Sequence, residues 1–152
     1  MKSNIFFALL VTITVSIFAA VAADQKDTKS ADSPKPVDDD MHHLMEYVFE
    51  PAWKRLQVTM ASEPVDKKAW KSVKADALTL AEVTNLLLHR IPEENTDDWV
   101  RLAVETRSAG SDFYQASRKR DFPNASKSYK LMLKKCNACH DDFADGEHQL
   151  EP

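Results

Sequence analysis

The chain has 152 residues, 43% of them apolar and 29% charged, with only 2 Gly against 7 Pro, a size and balance that bound one domain able to bury its own core. Its formal net charge is −4, and −5 once the leader read below, which holds Lys2 and no acid, is set aside. That balance argues against a basic nucleic-acid-binding surface.

In chain order, Met1-Lys2-Ser3-Asn4 is a short positive start, Ile5 to Ala19 is apolar, and Val21-Ala22-Ala23 offers small residues for cleavage. Residues 1–23 therefore read as a secretory signal peptide. An uncleaved anchor is the competing reading, because Ile5 to Ala23 is nearly long enough to span a bilayer. The small residues and the polar sequence that follows favour cleavage, and with it an exported, periplasmic protein with no membrane contact thereafter. Residues 24–39 form an acidic linker whose one aliphatic residue larger than Ala is Val37. Such a segment cannot offset the entropy of its own ordering and is expected to be disordered.

Residues 40–147 read as helix throughout, since Gly is scarce and apolar positions recur at three and four. The first predicted helix, from about Asp40 to Ala61, stacks Met41, Leu44, Met45, Val48, Ala52 and Leu56, with Phe49 and Trp53 widening the stripe. Pro51 lies inside it and predicts a kink or break, as it removes a donor and crowds the preceding turn. The second starts at Ser62 as N-cap, with Pro64 in its first turn, and stops at Ile91-Pro92. The third opens at Thr96 as cap, with Asp97 and Asp98 at the positive end of its dipole, and continues past Gly110 and Phe113. The fourth begins near Phe122-Pro123-Asn124 and places Ala125, Tyr129, Met132, Cys136, Cys139, His140 and Phe143 on one face, ending at Gly146. Short connections between four amphipathic helices predict an all-α, antiparallel up-down-up-down four-helix bundle, followed by a short tail over 148–152.

The chemistry lies in Cys136-Asn137-Ala138-Cys139-His140, which contains both cysteines of the chain. On a helix these three reactive side chains project from one side and address one object. Haem meets that requirement: its vinyl groups are captured as thioethers by Cys136 and Cys139, and the His140 imidazole reaches the iron as proximal ligand. A thioredoxin-like pair wants its first cysteine at a helix N-terminus, whereas here more than two turns of helix precede it. A zinc site needs four ligands, and His42, His43, His89 and His148 show no paired spacing. A structural disulfide across so short a loop gains little.

A C-terminal attachment pentapeptide on a four-helix chain, continuing as Asp141-Asp142-Phe143, resembles the cytochrome c prime family, specifically at that motif and weakly over the rest of Asp40 to Gly146. The chain departs from the family at Ala144, where a basic residue is frequent, and at Met41, where an arginine is frequent. The resemblance places the residue facing the iron opposite His140 on the first helix, one turn beyond Met41, at Met45. It also implies a homodimer through the first two helices, a surface that contains Pro51.

A Met45 thioether on the iron raises the potential and suits an electron carrier with one covalent haem c and a redox partner protein. Met in an apolar stripe is also common core filling. With Met45 only packed over an open iron, the chain is instead a five-coordinate, gas-binding protein for nitric oxide or carbon monoxide, as the family resemblance implies. His42, three positions before Met45, is a rival ligand, while consecutive histidines at a helix start are commonly solvated. Phe49 and Phe143 are expected to pack on the macrocycle or in ordinary core. Lys127, Lys130, Lys134 and Lys135 make the fourth helix basic, either to steer an acidic partner or as a solvated face. No paired distal acid and base is evident, so an enzyme is not expected.

Overall fold

In the computed structural model, which describes residues 35–152, every regular element among those residues is helical. The expected leader over 1–23 and the linker as far as residue 34 lie outside the described residues. Four helical stretches follow one another, built from five α-helices and two turns of other pitch.

The first stretch is α1 (Met41–Leu44), a π-helical turn over Met45–Phe49 and α2 (Glu50–Thr59). Asp40 caps it, its carboxylate accepting from the amides of His42 at 2.7 Å and His43 at 3.3 Å. The Glu50 amide reaches back five residues to the Met45 carbonyl, and Pro51 then sits in the first turn of α2. Proline has no amide to continue a four-residue ladder, and the widened turn lies directly before it.

The second stretch, α3 (Lys67–Val83), begins later than the sequence indicated. Its cap is Asp66 rather than Ser62: Asp66 is extended at φ −145°, and its carboxylate accepts from the Ala69 amide at 2.7 Å. An ionised acceptor at the positive end of a helix outcompetes a hydroxyl. The stretch continues as a 3₁₀ turn over Thr84–His89, where the buried Thr84 hydroxyl donates to the Leu80 carbonyl at 2.7 Å.

For α4 (Thr96–Lys119) the cap is Asn95, in the left-handed region at φ 53°. Thr96, expected as cap, is the first helical residue, and its hydroxyl donates to the Pro92 carbonyl at 3.1 Å. The last helix, α5 (Phe122–Phe143), starts from Asp121, which accepts from the Asn124 amide at 3.2 Å. Both cysteines and His140 are thus helical, in the last two turns of α5.

The most extensive helix contacts are those of α4 with α5 and with α3. The approach is close because Gly110 lacks a side chain: a Cβ there meets the Ala81 Cα at 3.2 Å and the Met132 Sδ at 3.3 Å. A large core joins Leu56, Trp70, Val73, Phe113, Tyr129 and Met132. A second, smaller one joins Leu44, Leu87, Trp99 and Ala103. The Trp99 indole N–H is satisfied by the Leu87 carbonyl at 2.9 Å, as a buried polar tip requires. Among the described residues no helix is long and apolar enough to cross a membrane.

Candidate functional site

The smaller core collects residues that are far apart in the chain. Met45 from the π turn, and Cys139 and Phe143 from α5, all pack against it. Phe49 packs against both cores, whereas Cys136 packs against the larger one. The Phe143 ring meets Trp99 edge to face, with centroids 5.0 Å apart. Met45, Phe49, Cys139 and Phe143 are therefore gathered around one apolar cluster, with Cys136 one turn away along α5.

Histidines near the start of the chain point elsewhere. The His42 imidazole is 70% exposed and lies 3.4 Å from the Glu46 carboxylate. His43 bonds Asp38 at 2.9 Å and stacks on Tyr47 with centroids 5.1 Å apart. That bond holds the end of the linker, as does the donation from Arg90 to the Asp38 carbonyl at 2.6 Å. His43 also lines an open cavity of about 390 Å³ with Leu44, Tyr47, Val48, Leu86 and Arg90, which none of Cys136, Cys139 and His140 lines.

His140 is half-buried, and burial holds its pKa below the ordinary imidazole range. Its Nδ1 lies 2.9 Å from the carbonyl oxygen of His148. A carbonyl only accepts, so Nδ1 carries the proton and the neutral ring keeps its lone pair on Nε2. The thiols are protonated for a related reason. Burial pushes Cys136 up to about 12, with the neighbouring Cys139 adding to the effect, and pushes Cys139 up to about 11, with Asp142 adding. These are the opposite of the low values that mark a dithiol redox pair. The two are not disulfide-bonded.

Comparison with protein-family models, with curated proteins and with solved structures returned no match to this chain. The groups present are two thiols one helical turn apart, an imidazole whose unprotonated Nε2 keeps its lone pair, a thioether and two aromatic rings.

One contributor was not visible from the sequence. His148, set aside as a zinc ligand for want of a paired spacing, meets His140 through its backbone carbonyl, and the residue two further on is bonded by Asn137, which lies between the two cysteines. The Asn137 side chain accepts from the Leu150 amide at 2.8 Å and donates to the Leu150 carbonyl at 3.0 Å. In the sequence, Gly146 marks only the end of the fourth helix, and nothing there pairs Asn137 with Leu150. The basic run on α5 is smaller than its sequence implied, because Lys135 pairs with Glu105 of α4 at 2.7 Å.

Proposed function

We propose that this chain is an exported monohaem c-type cytochrome that carries electrons. Haem c is bound through thioethers to Cys136 and Cys139, with His140 as proximal ligand and Met45 as distal ligand. The observation that carries the reading is that Met45 of the first helical stretch and Cys139 and Phe143 of α5 pack on one buried apolar cluster. His42, the rival ligand, faces solvent beside Glu46.

The donor set fits the group. Thiols one turn apart suit capture of two vinyl groups, and an imidazole whose Nδ1–H is committed offers only Nε2 to iron. When bound, haem supplies a one-electron iron couple. The chain's own side chains supply the rest. Met45 brings a soft thioether, which favours the ferrous state. Phe49, Phe143 and Trp99 exclude water and lower the local dielectric, which also favours the less charged state. His42 is exposed and paired with Glu46, so Met45 is the side chain of the first stretch that this reading places at the iron.

The finer architecture belongs to the same reading: an antiparallel up-down-up-down bundle of the cytochrome c prime kind, kinked near Pro51, periplasmic after loss of the leader. Its partner in electron transfer is a redox protein, and a homodimer forms through the first two helical stretches.

The test is expression in a host that matures c-type cytochromes, followed by mass and absorption spectra. Expected are the added mass of one haem, a low-spin ferric spectrum at neutral pH, and conversion to high spin in Met45→Leu. A ferric protein already high spin and indifferent to Met45→Leu assigns the chain to gas binding instead. Free thiols and the bare polypeptide mass overturn the haem reading altogether.

A further inference from the structure

The chain after α5 turns back on itself and is fastened at several points. Ala144 and Gly146 amides both bond the His140 carbonyl, at 2.9 and 3.1 Å, and close the helix end. Gly146 at φ 74° and His148 at φ 58° then reverse the direction of the chain. Beyond the reversal, Leu150 is hooked by both polar atoms of the Asn137 side chain. The Glu151 carbonyl accepts from Trp53 Nε1 at 3.3 Å and from Gln57 Nε2 at 3.4 Å, both on α2. Gln149 donates to Asp141 at 2.9 Å and to the Gly146 carbonyl at 3.2 Å. The His148 carbonyl, which receives His140 Nδ1–H, lies between these fastenings.

We propose that Glu147–Glu151 is a built-in strap that positions the His140 imidazole, fixing its tautomer and turning it into a stronger axial donor. The fastenings are not what a passive tail needs. A tail that only ended the helix would require the two bonds to the His140 carbonyl and nothing from Asn137, Trp53 or Gln57. The bonds beyond the reversal instead hold one backbone acceptor in place against Nδ1. An acceptor there keeps the proton on Nδ1 and raises the basicity of Nε2, the relation that carbonyl and carboxylate partners bear to metal-bound histidines. Placing Asn137 between the two attachment cysteines ties the strap to the same turns of α5 that carry the thiols. The strap as a tautomer lock stands on the polypeptide alone; its effect on iron rests on the haem reading.

Two variants of the full chain test it: Asn137→Ala, which unhooks Leu150, and a chain ended at Gly146. In the polypeptide made without haem, long-range ¹H–¹⁵N spectra read the tautomer of each histidine. Expected is an Nδ1-protonated His140 in the wild type, replaced by a tautomer mixture in both variants, with His42 and His43 resonances unmoved. A wild-type His140 protonated on Nε2, or an Nδ1 tautomer that survives both changes, overturns the strap. In the haem-loaded protein the variants are expected to shift the ferric-to-ferrous ratio about ten-fold toward ferrous at a fixed ambient potential, which is about 59 mV for one electron. A potential unchanged in both variants refutes the effect on iron while leaving haem attachment untouched. Failure to take up haem refutes the proposed function and leaves the tautomer measurement to decide the strap.

Discussion

Arg55 of α2 reaches across to α3 and closes a fork on the carboxylate of Asp76, with Nη2 to Oδ1 at 2.6 Å and Nε to Oδ1 and Oδ2 at 3.0 and 3.2 Å. The two ends are unequal, because the Asp76 side chain is 6% exposed and that of Arg55 is 55% exposed. Removing the arginine strands a buried carboxylate, whereas removing the aspartate leaves a guanidinium free to turn to water. Arg55→Ala is therefore expected to cost about 2–3 kcal/mol in urea unfolding and Asp76→Ala only about 1 kcal/mol. An equal or reversed order contradicts the assignment of Asp76 as the buried partner.

Gly110 lets α4 lie close against both α3 and α5, and alanine there sets two effects against each other. Helix propensity favours alanine by about 1 kcal/mol, while overpacking a filled core costs about 1–3 kcal/mol. The nearest atoms include the Ala81 backbone, at 3.2 Å from the added carbon, which cannot swing away as the Met132 thioether can. Overpacking wins, so Gly110→Ala lowers the thermal midpoint and Gly110→Leu lowers it further. A more stable Gly110→Ala shows that α3 and α4 separate at negligible cost.

The four helical stretches and the helical setting of Cys136, Cys139 and His140 were legible because apolar period and scarce glycine both report backbone pitch. The π turn was not, since one widened turn at Met45–Phe49 leaves Leu44, Val48 and Ala52 within a pattern that regular helix explains equally well. The caps were misplaced for two different reasons: Asp66 displaced Ser62 as the accepting side chain, whereas Asn95 displaced Thr96 through its left-handed backbone, with no side-chain cap bond. The gathering of Met45 with Cys139 and Phe143 depends on how the stretches pack, which periodicity does not encode. The strap was hidden for a different reason. A backbone carbonyl has no side-chain signature, and only the reversal at Gly146 and His148 brings it to His140.

The junction of linker and α1 carries a pH dependence with a definite sign. Asp38 holds the His43 pKa above the ordinary imidazole range through their hydrogen bond, and the Asp38 carboxyl is held low by the Asp40 amide and by His43. A pKa raised on folding means the folded chain binds the proton more tightly. The stabilisation is thus complete below pH about 6.5 and fades as pH rises through the elevated folded value. NMR titration is expected to show His43 titrating above the ordinary imidazole range in the wild type and lower in Asp38→Asn. A His43 titration unchanged by Asp38→Asn leaves the Asp38 contact without effect.

The thiols offer a test that separates attachment chemistry from dithiol redox chemistry. With pKa values pushed up to about 12 and about 11 by burial, Cys136 and Cys139 in the folded polypeptide made without haem hold almost no thiolate. At pH 8 the thiolate fraction at Cys139 is roughly one in a thousand, against about a quarter for an exposed cysteine of ordinary pKa. Alkylation by iodoacetamide is accordingly expected to run at least about 100-fold slower in the folded chain than in urea. In the haem-loaded chain neither sulfur alkylates even in urea, because both are thioethers. Rapid labelling of the folded chain at pH 8 means a depressed thiol pKa, which favours the redox pair over attachment; slow labelling leaves thiols suited to being held reduced until haem is joined.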